Sequence, residues 1–521
     1  MTTEIYLDAN ATSPVLPAAI AASQAALLQC FGNPSSSHAA GLRARALLDD
    51  ARGRARRVLG AASGRLIFTS GATEGIQTAV LSALCAVRAR RAAGLPCGDL
   101  LLYGATEHKA VPESLAHWNT LLGTGLTLTA LPVDSHGRHC LDALRALAPR
   151  VAFLATMAAN NETGVVSDLD GVARVLEDTG SHALWMVDCV QALGKLPLAL
   201  DGTRIDYAPF SGHKLYAPKG VGMLWVREQA PYTPLMCGGG QEAGQRSGTE
   251  NMAGIAALGA VLRALEEGQT FRSHAQLVAM RDRLAASLRA AFPGIEFNAP
   301  FEHALPTTLN FSVPGRSGKA LLDLFDAAGV RVSAGSACSA AKAAPSYVLL
   351  AMGLPQARCA NAVRMSFGPL ADDAFIDAAC QRIARCAQAL LAPPPAACPV
   401  TSSDQHGAAP APMHAAACPD GHDLDAAGLA RFLDAHPNAL LIDVREACEH
   451  ALGTPRLHGR AAYSLPLSRL SEHAAWLCRE TRPLVFFCRS GNRSAQAART
   501  AQELGHANVR HLAGGLALLA S

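Results

Sequence analysis

Residues 392–421, APPPAACPVTSSDQHGAAPAPMHAAACPDG, divide the chain before any other pattern is considered. Proline fixes φ and removes a backbone donor, and the Ala, Ser and Gly between the prolines give no apolar repeat that a helix or strand could bury. The stretch therefore reads as a flexible linker, with a front part of residues 1–391 before it and a back part of residues 422–521 after it. A chain of 521 residues is longer than one hydrophobic core usually spans, and 50% apolar residues suffice for two or three cores. Cys398 and Cys418 in the linker, with His406 and His414, match no common zinc-ligand spacing, so no metal is expected there and a tether is the simpler reading.

Charge narrows the functional class. The net charge is only +3, carried by scattered arginines with six lysines in all, so no large nucleic-acid face and no direct nucleic-acid partner is expected. Met1–Asp8 contains Glu4 and Asp8 and no basic start followed by an apolar core, and no run of 18 apolar residues follows. This predicts a cytoplasmic protein without a membrane partner. The fifteen cysteines are irregularly spaced and form no C-x-x-C pair, which argues against a disulfide framework and predicts that most are buried thiols.

In the front part, short β-rich runs (Arg65–Thr69, Leu184–Val187, Val221–Val226) alternate with Ala/Leu/Arg segments at helical spacing (Ala46–Val58, Leu277–Ala291). That alternation predicts an α/β fold with a largely parallel sheet. From about Phe297, the runs Thr308–Val313 and Val363–Phe367 between helices predict a smaller α+β unit.

Phe68–Gly75 (FTSGATEG) ends a strand in a small-residue turn and starts a helix at once. Free amides, the hydroxyls of Ser70 and Thr73 and the positive helix end would converge on an anion, although the same residues also make an ordinary helix cap. Trp185-Met186-Val187-Asp188 is an apolar strand ending in a carboxylate that needs a cationic or hydrogen-bonding partner, with Gln191 three residues on. Pro209–Lys214 (PFSGHK) puts a lysine just after another strand, beside Ser211 and His213, which could reach a phosphate.

These residues belong to a longer series. YLDANAT (Tyr6–Thr12), NPSSSH (Asn33–His38), FTSGATEG, TEHKAV (Thr106–Val111), NNETG (Asn160–Gly164), SGHK, GGGQE with RSGTEN (Gly238–Asn251), SAGSAC (Ser333–Cys338) and VRMSFG (Val363–Gly368) follow one another. In motifs and in order, residues 4–390 resemble the cysteine desulfurases of the NifS and IscS class, members of the class V aminotransferase family. The resemblance implies a transferase of fold type I that uses pyridoxal 5′-phosphate (PLP), with a large α/β domain and a small α+β domain, acting as a homodimer on L-cysteine.

It also implies residue roles. Lys214 would hold PLP as a Schiff base and move protons at the substrate's α-carbon. Asp188 would keep the ring nitrogen protonated, Gln191 and Asn161 would bond the ring-oxygen side, and His108 would stack on the ring and serve as acid or base. Ser211, His213, Thr73 and the amide of Ala72 would hold the phosphate, with Thr249 supplied by the second subunit. Arg364 would clamp the substrate carboxylate in a fork, with Asn10 and Asn161 nearby. Cys338, in a run of Ser, Ala and Gly, would be the nucleophile that takes the substrate's sulfur as a persulfide and releases alanine. Cys189, where relatives often have Ala, and Cys237 read as packing substitutions, and His117, His136 and His303 as ordinary surface or core histidines.

In the back part, Leu440–Arg445 (LLIDVR) reads as a buried strand ending in an Asp and Arg pair. Leu484–Cys488 (LVFFC) is a second strand, ended by a cysteine and followed by Arg489, Ser490, Gly491, Asn492, Arg493 and an Ala-rich helix. A cysteine between a strand end and a helix start faces backbone N–H groups that stabilise an anionic sulfur. Residues 422–515 resemble a small α/β rhodanese-like domain. A related fold uses the same cradle on phosphate or arsenate, but four residues between Cys488 and Arg493 make the tighter pocket that suits sulfur. The glycine pair Gly514-Gly515 is present, whereas no aromatic residue and final helix of the kind relatives tend to carry is expected after it, so the expectation is a domain that is either trimmed or marginally stable.

Together these readings predict a desulfurase whose sulfur passes from Cys338 to Cys488. A tether of about 30 residues spans roughly 30 Å, giving an effective concentration on the order of millimolar. Two alternatives stand beside this one: a back domain that only docks an acceptor protein, and selenocysteine as substrate. The acceptor, an iron–sulfur scaffold, a tRNA thiolation protein, selenium metabolism or small thiols, is left open by the sequence.

Overall fold

The protein was analysed as a computed structural model that describes residues 4–334, 344–392, 423–453, 456–506 and 508–519. Cys338 and the linker from residue 393 on, with Cys398, Cys418, His406 and His414, lie outside the described residues.

After a short β1 (Ile5–Tyr6), the front part builds a seven-stranded sheet from β2 (Arg65–Thr69), β3 (Leu100–Gly104), β4 (Thr127–Leu131), β5 (Val151–Met157), β6 (Leu184–Asp188), β7 (Tyr207–Ser211) and β8 (Gly222–Val226), in the order β2-β8-β7-β6-β5-β3-β4. Only β8 runs against its neighbours. Every residue of β5, β7 and β8 is buried, as expected of strands covered on both faces. One face packs on helices Ala39–Val58, Leu169–Asp178 and Met252–Glu267, the other on Ala72–Ala92 and Ala110–Leu121.

The small unit is an antiparallel sheet of β9 (Glu296–Phe297), β10 (Thr308–Ser312), β12 (Ser333–Ala334) and β13 (Val363–Ser366), with β11 (Val330–Arg331) between β10 and β12 in sequence. β11 pairs with β1, and Asp8 bridges to Ser366, so the chain's start is tied into this unit. Helix His274–Ala291 precedes the boundary expected near 297, yet its apolar residues share the small core with helices Gly318–Ala327 and Asp373–Leu391. The strands expected at 221–226, 308–313 and 363–367 are each one residue shorter, and the helix expected from Ala46 starts at Ala39, where His38 Nδ1 accepts from Gly41 N.

The back part forms a five-stranded, all-parallel sheet of β14 (Asp423–Leu424), β15 (Leu440–Asp443), β16 (Tyr463–Ser464), β17 (Leu484–Phe487) and β18 (Val509–Leu512), ordered β14-β18-β17-β15-β16. A separate apolar cluster fills each face. This sheet lies beside the small unit: Leu452 joins the small unit's core, and Arg385 donates to the Leu452 carbonyl at 2.9 Å.

Cysteine burial departs from expectation. Of the twelve described cysteines only Cys189, Cys359, Cys386 and Cys488 are buried, and all twelve are free thiols. Cys237 is exposed on a loop, so it is not the packing substitution expected of it, whereas Cys189 is fully enclosed.

Candidate active site

A cavity of about 490 Å³ opens where the parallel strands of the large sheet end. Carboxyl ends of parallel strands are where α/β sheets bind ligands, because the connecting loops there can turn side chains inward. Met157 ends β5, Asp188 ends β6 and Ser211 ends β7, and all three line the cavity. Asn10, Ala72, Thr73, His108, Asn161, Gln191, His213, Lys214 and Arg364 line it too, so one space gathers residues spread over 355 positions.

Lys214 sits in a short turn directly after β7, and its Nζ donates to the carbonyls of Asn10 and Ala11 at 2.8 Å each. Asp188 is held by the Val190 N–H at 2.9 Å, and burial, only partly offset by that bond and by Lys214, pushes its carboxyl up to about 6. Burial, Lys214 and Lys109 lower His108, and burial, Lys214 and Lys219 lower His213 to about 4. Both imidazoles are therefore neutral at pH 7. The Ala110 N–H donates to His108 Nδ1 at 3.2 Å, which leaves the ring proton on Nε2.

The small unit contributes a cation to the wall. Arg364 is 1% exposed, with Nη2 on Asp8 at 2.5 Å and Nη1 on the Asn161 carbonyl at 3.1 Å. Asn10 Nδ2 donates to Thr308 Oγ1 at 2.9 Å and to the Asn161 carbonyl at 3.2 Å, which ties β10 to the cavity wall. At the far end, helix Ala72–Ala92 begins after Gly71 with no side-chain cap. Glu74 instead reaches back to the Ser70 N–H at 2.8 Å and pairs with Arg246. Thr249 is exposed and does not line the cavity.

Sequence reasoning missed three groups. Lys195 Nζ donates to Gln191 Oε1 at 2.6 Å and to Asn10 Oδ1 at 3.2 Å, and its enclosed position, with Lys214 and Arg364 near, lowers it to about 7. Glu107 is buried with neither carboxyl oxygen partnered among the described residues, and burial with Asp188 nearby pushes it well up. Burial likewise raises Glu162 to about 7, against the 2.6 Å bond from Ser346 Oγ. The only sequence signal for these was their place inside or next to motifs whose other members face the cavity.

The family model for aminotransferase class-V matches residues 5–378. The chain belongs to that family. Within it, the cysteine desulfurase of Cereibacter sphaeroides is 38% identical over 375 residues, covering 72% of this chain and 93% of the relative. The cysteine desulfurase NifS of Azotobacter vinelandii is 36% identical over 378 residues, covering 72% and 90%. Among solved structures, a NifS-like protein superposes with a TM-score of 0.65 at 32% identity, covering 73% of this chain and 98% of the other. A second model, that of the rhodanese-like domain, matches residues 425–520.

Class V aminotransferases are PLP enzymes, and the residues here fit that cofactor. The uncapped helix start suits a phosphate. A buried carboxylate held at about 6 needs a cation such as a protonated ring nitrogen. Asn161 Oδ1, buried and without a partner among the described residues, is a polar atom waiting for one inside this cavity.

The back part offers a different kind of site. Cys488 directly follows β17, is fully buried, and its Sγ accepts from the Gly491 N–H at 3.2 Å, with Ser494 Oγ 3.6 Å away. Gly491, at φ +90°, turns the chain into helix Asn492–Glu503. Gly515, at φ +62°, lets the chain's last turn approach so closely that a Cβ there would sit 2.4 Å from the Cys488 carbonyl. That turn donates from Leu516 N to the same carbonyl at 2.9 Å. Below the loop, Arg445 forks onto Asp443 (2.9 and 2.7 Å), which also meets His450 Nδ1 at 2.9 Å. Among the described residues no helix is long and apolar enough to cross a membrane.

Proposed function

We propose that the chain is a cysteine desulfurase that removes sulfur from L-cysteine as a persulfide on Cys338, leaves L-alanine, and relays the sulfur to Cys488. The observation that carries this reading is the convergence of Lys214, Asp188 and Arg364 on one cavity, each from a different strand end or strand. When bound, PLP supplies an electron sink that labilises the substrate's Cα–H bond and the sulfur at Cβ. Lys214 holds it through its amine and carries the proton at Cα, and Asp188 keeps the ring nitrogen protonated. His108 would pack on the ring and serve as acid or base, and Gln191, with one amide N–H on the Asn10 carbonyl at 3.2 Å, would have its second for the ring-oxygen side together with Asn161. The amide of Ala72 with Thr73, Ser211 and His213 holds the phosphate.

Arg364 binds the substrate carboxylate, with Asn10 and Asn161 beside it. The Cys338 thiolate attacks the substrate's sulfur, the Cβ–S bond breaks, and alanine leaves while the sulfane sulfur stays on Cys338. Cys488 then takes that sulfur and Cys338 returns to a thiolate. In support, β12 ends four residues before Cys338, and it packs against helix Gly318–Ala327, the helix that meets the Cys488 loop. An acceptor protein or small thiol would receive the sulfur last.

We assign the chain to a homodimer in which Thr249 of each subunit reaches the other's phosphate. Leu27, Leu28, Phe31 and Leu42 stand 56–76% exposed close together in sequence, an apolar surface that a second subunit would cover. Sulfur-labelled cysteine tests the relay. Cys338→Ser should release no alanine. Cys488→Ser should still release alanine but carry no label on the back domain. If label never reaches Cys488 in the unaltered chain, the relay is wrong while the desulfurase stands.

A further inference from the structure

Carboxylates of the front part pair with the arginines that flank Cys488 in its loop. Arg489 Nε lies 2.7 Å from Asp326 Oδ2 and its Nη1 3.2 Å from Asp323 Oδ1. Arg493, whose guanidinium forks onto Glu449 at 2.6 and 2.9 Å, places Nη2 3.7 Å from Asp323 Oδ2. Asp323 and Asp326 stand three residues apart on helix Gly318–Ala327, a spacing that puts both on one face. Their side chains are only 11% and 19% exposed, and Arg493 is 14% exposed. The seam continues as an apolar contact, with Leu452 in the small unit's core and Cys448 against it.

Guanidinium groups flanking a sulfur-bearing cysteine are the natural landing place for an anionic sulfur donor, because each forks onto paired oxygens. Here the paired oxygens already present belong to the protein. We propose that Asp323 and Asp326 act as a built-in anion over the Cys488 cradle. They make helix Gly318–Ala327 the docking surface for the loop and keep small anionic sulfur donors out while the two parts are docked. This rests on Cys488 being the sulfur-bearing cysteine. It adds that the cradle is tuned to sulfur delivered within the protein and rejects a donor such as thiosulfate. In that excluded reaction the Cys488 thiolate would attack the outer sulfur of thiosulfate and release sulfite. Cyanide would then take the sulfane sulfur as thiocyanate and restore the thiolate.

The test uses the full-length, PLP-loaded chain and the double variant Asp323→Asn/Asp326→Asn. Cys488 is alkylated with iodoacetate, an anion, or iodoacetamide, its neutral counterpart, and the peptide carrying Cys488 is quantified by mass spectrometry. Losing two negative charges at the mouth should raise the iodoacetate rate about tenfold relative to the iodoacetamide rate. Thiocyanate formation from thiosulfate and cyanide should rise in parallel, and alanine release from cysteine should stay as it was. The single variant Asp326→Asn should fall between the two. An iodoacetate-to-iodoacetamide ratio equal in all three proteins overturns the proposal. The ratio does not depend on sulfur reaching Cys488, so a failed relay and a failed anion barrier give different results.

Discussion

The front cavity and the back cradle are built in opposite ways. The cavity is assembled from side chains contributed by the N-terminal segment, three strands of the large sheet with the loops around them, and the small unit, and burial moves protonation in and beside it: Asp188 up to about 6, His213 down to about 4, Lys195 down to about 7. The cradle is one continuous loop, in which a backbone N–H faces the sulfur and the neighbouring arginines are already paired with Glu449, Asp323 and Asp326. A site built from distant side chains can tune several groups separately but fails when one is lost. A site built from a backbone turn depends on the scaffold that holds the turn.

The largest effect that would break this contrast lies in the cavity. Lys214→Ala should lower alanine release by at least about 1,000-fold, within the range that proton-transfer groups supply, and abolish the visible absorbance of bound cofactor. Residual turnover near the unaltered rate would mean that the cavity is not the reaction centre. Next comes the scaffold under the cradle. Asp443 is wholly buried, so Asp443→Ala leaves the Arg445 guanidinium in the interior without its fork partner, at a cost of about 3–5 kcal/mol. Hydrogen exchange should then show β15 and β17 opening while the large sheet stays protected. Uniform loosening of both sheets would contradict the separation of the two sites.

A smaller effect sharpens the cavity's specificity. Arg364→Lys replaces a two-pronged donor by a single ammonium, and the loss of one charge-assisted bond, about 1.5–3 kcal/mol, should raise KM for cysteine by roughly 10- to 100-fold. A change confined to kcat would place Arg364 away from the substrate carboxylate. The effect that is smallest at any one pH step is a slope. Lys195 is lowered from its ordinary value to about 7, so its contribution to stability is present above pH 10.5 and is lost as pH falls toward 7. Lys195→Met should therefore flatten the rise of thermal stability between pH 7 and 10 by on the order of 1 kcal/mol per pH unit. Parallel curves for the two proteins would show that the amine is not desolvated as its surroundings imply.

Much of this was legible in order of residues. The alternation of apolar runs with Ala/Leu/Arg segments announced the parallel sheet, since a strand buried on both faces is almost wholly apolar, as β5 is apart from Thr156. Asp188 and Lys214 could be picked out because each stands at the end of such a run, where a charged residue is costly unless something ligand-like meets it. Lys195 gave no such signal, because its partners Gln191 and Asn10 are linked to it by folding and not by a run of sequence. Cys237 misled because a cysteine's burial depends on what covers its loop, which a single sequence does not state.

What the amino-acid sequence determined by itself is local. It set the strand ends, the turn glycines and the chemistry available at each, because backbone geometry and apolar periodicity act over a few residues. Tertiary structure alone decided which of those ends meet. Asp8 reaches Arg364 because the first strand pairs beside β11, and Asp323 and Asp326 reach Arg489 because apolar surfaces of the front and back parts pack together. Such contacts depend on shape and charge matching between surfaces, and those surfaces exist only after each unit has folded.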